Sequence, residues 1–186
     1  MSENTLTPTA GQTVGPFFHY GLEFEGQNLV AFPHSPGAIV LRGTVRDGNG
    51  APIPDACIEI FGADADGSVP RARGTLRRDG FSFTGFGRAF TDDEGGFFFW
   101  TRNPGATDEN KPPFIAAIVF ARGLPNKLHT RIYLPEAIEA GQTDALLDSL
   151  SEAERATLVA TRTEDGNLVH DIRVQGEGET VFIAYS

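Results

Sequence analysis

Four histidines, at positions 19, 34, 129 and 170, are the first groups to weigh for catalysis or metal binding. No two lie within a helical turn or on one short strand, where the paired histidines of metal sites are often found. The chain has no Gly-x-Ser-x-Gly elbow, so a hydrolytic triad lacks its nucleophile turn. His129, Arg131 and Tyr133 fall on one face of a predicted strand. That pattern suits a polar surface against solvent or a neighbouring chain better than a ligand set. Arg122 stands apart, because it ends the most apolar run of the sequence in Phe120-Ala-Arg-Gly123. A charge leaving a buried strand must reach water, a carboxylate or a ligand. A strand-end ion pair and a ligand contact both answer that need, and the residues alone leave the two open. Thr13-Val-Gly-Pro16 is open in the same way. Glycine lets a backbone approach a ligand closely and proline fixes its path, yet ordinary loops use the same residues. Between Arg71 and Phe90, five arginines (Arg71, Arg73, Arg77, Arg78, Arg88) alternate with Phe81, Phe83, Phe86 and Phe90. Arginine with aromatics serves single-stranded nucleic acid or a protein interface.

The net charge of −10 decides between those two in favour of the interface, since a nucleic-acid site needs a basic surface. An anionic ligand would also be repelled at long range, so an acid-binding site here must rest on a local cation in a sheltered cleft. A length of 186 residues with 40% hydrophobic content fits one domain with a sizeable core. The single cysteine, Cys57, excludes an intrachain disulfide and a cysteine-built metal site. Met1-Ser-Glu-Asn-Thr has no basic segment leading into an apolar run, and no stretch reads as membrane-spanning. The expectation is a cytoplasmic protein with no membrane partner.

These side chains must be positioned by strands. Residues 1–36 read as an extended arm broken by Pro8, Gly11, Gly15, Pro16, Pro33 and Pro36. From Ile39 to Val45 the period becomes two, with Ile39, Leu41, Gly43 and Val45 on one face and Arg42, Thr44 and Arg46 on the other. Asp47-Gly-Asn-Gly50 then makes a tight turn. Further strands are predicted at 56–61, 96–101, 114–121, 127–134, 168–174 and 180–185, the wholly apolar 114–121 run lying mid-core. Ser151-Glu-Ala-Glu154 is a capping-box pattern that opens a helix over 151–160, with a shorter one over 143–149. Two long connections, 67–90 and 103–113, are of the size that is functional or covered by a partner. The fold class is all-β, a sandwich with long loops and one short helical insertion near 143–160.

Several of these stretches, taken in order, resemble the intradiol ring-cleaving dioxygenases. Leu41-Arg-Gly-Thr-Val-Arg-Asp-Gly-Asn-Gly50, Pro52-Ile-Pro-Asp-Ala56 and Glu59-Ile-Phe-Gly-Ala-Asp-Ala65 carry the core of the likeness. Gly87-Arg-Ala-Phe-Thr-Asp92, Gly95-Gly-Phe-Phe-Phe99 and Asn103-Pro-Gly105 continue it. Gln12-Thr-Val-Gly-Pro-Phe-Phe-His19, Phe120-Ala-Arg-Gly123, His129-Thr-Arg-Ile-Tyr133 and the run from Ile172 to Phe182 are similar to the α-type chain of the two-chain members. The family's catalytic chain holds ferric iron, Fe(III), with two tyrosines and two histidines, the latter in an Arg-Pro-Ala-His-Ile-His pattern. Here that stretch reads Lys111-Pro-Pro-Phe-Ile-Ala116, and no tyrosine occurs between Tyr20 and Tyr133. The resemblance therefore implies a chain with no catalytic residue and no metal of its own. Its iron would be carried by a catalytic β subunit in a hetero-oligomer. The implied reaction uses O2 to cleave a small aromatic acid, 3,4-dihydroxybenzoate, to 3-carboxy-cis,cis-muconate. By the same resemblance Arg122, Thr13, Gly15, Pro16 and Phe17 fall at substrate-binding positions, Phe17 where a tyrosine is common. The competing expectation is a non-catalytic β-sandwich module for interaction or ligand binding.

Overall fold

The structure, a computed structural model, describes residues 9–15, 17–71 and 78–185. Along the chain run α1 (Phe18–Leu22), β1 (Ala38–Arg46), β2 (Cys57–Gly62), β3 (Phe86–Phe90), β4 (Gly96–Arg102), β5 (Phe114–Phe120) and β6 (Leu128–Tyr133). After them come α2 (Pro135–Glu139), α3 (Ala145–Asp148), α4 (Glu152–Ala156), β7 (Thr161–Arg162), β8 (Leu168–Val169) and β9 (Ile172–Arg173). One sheet has the order β4-β1-β8-β7, with β9 also paired to β1; the other has the order β3-β2-β5-β6. Their inner faces meet in a shared core. Leu41, Val45, Phe97, Phe99 and Leu168 come from the first sheet, and Ile58, Ile60, Ile115, Val119 and Ile132 from the second. Period-two alternation puts these residues inside and their neighbours outside, which is why the sequence pattern of β1 reads so cleanly.

The 114–121 run lies in the interior of its sheet. From this run Ile115, Ala117, Val119 and Ala121 enter the sandwich core. The alternate residues face outward, and at the start of the strand Phe114 packs into a second cluster with Tyr133, Leu147 and Leu158. The strand is apolar throughout because its outer face is covered as well. Ile138 of α2, Leu146 and Leu147 of α3, and Leu150 and Leu158 on either side of α4 provide that cover near Phe114. Ser151 and Glu154 form the expected capping box, but α4 stops at Ala156, and the chain from Leu158 onward follows the sheet edge instead.

Three strand expectations change. The 168–174 strand is two short pieces, with His170 and Asp171 between them, as the chain passes from one part of β1 to the next. At that crossing Gly43 is required: a Cβ there would lie 1.8 Å from the His170 carbonyl oxygen. Residues 180–185 form no ladder strand; Ile183 donates to the His129 carbonyl at 2.7 Å and Thr180 to that of Arg173 at 2.9 Å. The 67–90 connection ends in a true strand, β3. Arg88 on β3 faces Glu59 on β2 in register and forms an ion pair with it, which anchors this edge. Arg78 donates to the carbonyl oxygens of Gly26, Gln27 and Phe86, and Arg88 to that of Leu22, so two of the five loop arginines fasten the returning arm to β3. Arg73 and Arg77 lie outside the described residues. Phe81 stays 91% exposed.

Candidate functional site

Strand β5 presents distinct chemistry at its two ends. At its start, Phe114 and Ala116 face Tyr133 and Arg131 across the β5–β6 ladder. These are the positions where the resemblance puts a metal's histidines. The Arg131 guanidinium lies over the Phe114 ring, 4.2 Å from its centroid. Its Nη1 donates to Asp144 Oδ2 at 2.8 Å, and the Tyr133 hydroxyl donates to the same oxygen at 2.7 Å. The other Asp144 oxygen caps α3 by accepting from the Leu146 and Leu147 amides. Burial is the main cause of a raised Tyr133 pKa, opposed in part by Arg131. The phenol therefore stays neutral as a structural donor. A phenyl ring and a methyl group have no lone pair to give a metal. Among the described residues, no group of three or more His, Cys, Asp or Glu side chains could hold a metal ion. Phe114 and Ala116 therefore do not fit the family's iron at these positions. His129, Arg131 and Tyr133 do share a face, as their spacing predicts, but Tyr133 is wholly buried rather than turned to solvent.

Past the other end, the chain turns at Ala121-Arg122-Gly123, and the arm docks on that turn. The Thr13 hydroxyl accepts from the Gly123 amide at 2.8 Å and points its own proton at the Ala121 carbonyl, 3.4 Å away. Arg122 therefore projects beside the arm with its side chain 48% exposed. Its Nη2 donates to Asp55 Oδ2 at 3.1 Å. The second Asp55 oxygen lies 4.0 Å from His19 Nε2. His19 is held by ring contacts with Tyr20 (4.0 Å between centroids) and Phe90 (6.1 Å), and Phe18 packs edge-on to Phe90 at 5.9 Å. These contacts fix α1 over the ends of β2, β3 and β5.

Of the sequence-predicted site residues, Thr13 and Arg122 are brought into one corner. Gly15 is exposed and next in line along the arm. Phe17 is 74% exposed, with its ring 6.2 Å from Tyr20. Pro16 lies outside the described residues. Arg122 forms an ion pair with Asp55 and keeps about half of its side chain exposed beyond it. Sequence reasoning missed Asp55 and His19 as members of this corner. The available signal was an aspartate in a Pro-Asp-Ala turn. Its φ of 62° belongs to the left-handed region that Asp and Asn tolerate better than most residues.

Volume and chemistry point to different places. A cleft of about 840 Å³ runs along the outer face of the β4-β1-β8-β7 sheet beside Arg42, Phe98 and Asp171. Asp171 there is engaged, accepting from the Thr44 amide and hydroxyl at 2.8 and 2.9 Å. The Arg122 corner lies apart from that cleft and holds a half-exposed cation of the kind an acid ligand requires.

A dioxygenase family model (Dioxygenase_C) matches residues 15–175. The chain is 36% identical over 205 aligned positions to the protocatechuate 3,4-dioxygenase alpha chain of Pseudomonas putida, covering all of both chains. It is 37% identical over 194 positions to the Burkholderia cepacia protein of the same name, covering 96% of this chain and 98% of the relative. Among solved structures, an intradiol ring-cleavage dioxygenase from Tetranychus urticae superposes with a TM-score of 0.55 at 16% identity, over 78% of this chain and 84% of that one. That last likeness shows the fold, and the first three show the family.

Proposed function

The chain belongs to the dioxygenase family, and from that membership we propose that it is an α-type subunit that completes the substrate pocket of a protocatechuate 3,4-dioxygenase. The relatives named alpha chains imply a β partner, and we assign the ferric ion to that partner. The observation that carries the reading is the Arg122 corner: an arginine held beside the docked arm, half open to solvent, at a surface that a second chain can close.

In the assembled enzyme the iron, with O2, supplies the ring-opening chemistry between the two hydroxyl-bearing carbons, giving 3-carboxy-cis,cis-muconate. This chain binds and orients. Arg122 faces the carboxylate of 3,4-dihydroxybenzoate, where a guanidinium supplies paired N–H donors and a fixed positive charge. Thr13, Gly15 and Phe17 of the arm lie along the ring and exclude water, Phe17 by contact alone since it has no hydroxyl. Holding the acid end in place brings the ring's hydroxyls to the metal in one orientation, which is a positioning contribution to rate. The overall charge of −10 makes the local cation necessary. The reading places the protein in the cytoplasm, where the buried Cys57 remains a thiol, its pKa pushed up to about 12 chiefly by burial.

The test is Arg122→Ala in the complex of this chain with an iron-bearing β partner. The expected result is a loss of about thirtyfold in kcat/KM for 3,4-dihydroxybenzoate, the scale of one charge-assisted hydrogen-bond pair. Turnover of plain catechol, which has no acid group, should be unaffected. Equal losses on both substrates, or none, would remove Arg122 from the pocket and favour a chain that serves only as an interaction module.

A further inference from the structure

We infer that Asp55 is the positioning residue of this site, fixing Arg122 so that the free edge of the guanidinium meets the substrate's acid group. The inference rests on the proposed role of Arg122.

The two carboxylate oxygens of Asp55 are divided between two elements. Oδ2 accepts from Arg122 Nη2 at 3.1 Å, and Oδ1 faces His19 Nε2 at 4.0 Å. One side chain thus joins the turn after β5 to α1 in the arm. Its seat is rigid. The Asp55 amide donates to the Thr91 carbonyl at 3.3 Å and the Ala56 amide to the Thr91 hydroxyl at 2.8 Å. That hydroxyl in turn donates to the Ile53 carbonyl at 2.7 Å. Thr91 itself is buried, so the turn carrying Asp55 is pinned from the core side. Asp55 also holds φ at 62°, a conformation uncommon for a residue with a side chain and one found mostly where the surroundings enforce it.

Arg122 has no such support of its own. Its side chain is 48% exposed, and an arginine in that setting samples many rotamers unless a partner selects one. An ion pair this exposed adds little to stability. The contact to Asp55 engages one of five guanidinium N–H donors and leaves the rest for a bidentate grip on a carboxylate. Geometry and charge make opposite demands here. As a negative charge beside the site, Asp55 opposes an anionic substrate, so removing it should tighten binding if charge alone mattered. As an orienting anchor it should loosen binding when removed. The sign of the change therefore reports which role holds.

The experiment uses the purified complex with its iron-bearing partner, and oxygen uptake on 3,4-dihydroxybenzoate and on catechol. Asp55→Gly keeps the left-handed backbone and removes the carboxylate. The expected result is a rise of about five- to tenfold in KM for the acid, close to one tenfold step of binding energy. The KM for catechol and the iron content should hold. Arg122→Ala should raise the acid KM further, and the double variant should match Arg122→Ala alone, because Asp55 acts through Arg122. A lower or unchanged acid KM in Asp55→Gly overturns the inference, as does an effect that adds to that of Arg122→Ala. If Asp55→Gly fails to assemble, Asp55→Asn retains shape and backbone tolerance. It should still raise the acid KM selectively, and wild-type kinetics in it overturn the inference. A normal acid KM in Arg122→Ala would instead sink the pocket reading underneath, a result distinct from failure at Asp55.

Discussion

At the start of β5, Arg131 is spent on its own chain: it stacks on Phe114, pairs with Asp144 and sits beside a buried tyrosine. Two residues past the other end of the same strand, Arg122 has one carboxylate contact and an open flank. A seven-residue strand separates the two by roughly 20 Å. Both ends carry an arginine next to an aspartate, and only burial and completeness of pairing differ. Asp144 accepts from an arginine, a phenol and two backbone amides, so no valence is left for a ligand. Asp55 and Arg122 satisfy each other only in part. A cation–carboxylate pair is a structural tie when saturated and a binding device when it leaves donors over.

Breaking each end should therefore produce non-overlapping losses. Asp144→Ala is expected to be the most severe. It strands Arg131 and the Tyr133 hydroxyl and uncaps α3, at a cost of about 3–5 kcal/mol for removing one partner of a largely buried pair. Chemical denaturation would measure it, and the surviving folded complex should keep its KM for the acid. Next comes the pH response of His170, which belongs with the closed groups. It is 4% exposed, its Nε2 has no partner among the described residues, and burial lowers its pKa from 6.5 to about 4. The unfolded chain takes up this proton near pH 6.5 while the folded chain resists until about pH 4. Stability is thus full above pH 6.5 and falls between 6.5 and 4, by roughly 3 kcal/mol. Denaturation midpoints across that window should flatten in His170→Gln. Arg122→Ala should do the reverse of Asp144→Ala, losing about thirtyfold in kcat/KM while costing under about 1 kcal/mol of stability. Ser151→Ala should remove the α4 capping box for about 1 kcal/mol and leave both ends of β5 working.

Where the sequence is informative, the reason is local. β1 announces itself through alternation, β5 through its unbroken apolar run, and Ser151 with Glu154 announces α4. Arg122 is legible because a charge at the end of an apolar run has few destinations. What stays hidden depends on distant pairing. β3 sits behind Gly85 and carries Gly87, so it reads as loop until Arg88 is seen opposite Glu59, 29 residues earlier. The 168–174 run reads as one strand because nothing in it marks the step at His170 from one β1 register to the next. Asp55 reaches Arg122 across 67 residues, and its single local sign is a turn that admits positive φ. That Phe114 and Ala116 cannot bind iron is plain from their side chains. That Arg131 and Asp144 occupy the neighbouring space is not.

The most direct test of the account is oxygen uptake on 3,4-dihydroxybenzoate, with iron quantified, for this chain alone and for the chain co-expressed with an intradiol-type β partner. The account predicts no iron and no uptake for the chain alone, with both present in the complex. Uptake by this chain alone, with iron bound to it, would contradict the assignment of the metal to the partner. A β partner that folds, holds iron and turns over at the same rate without this chain would contradict its place in the pocket.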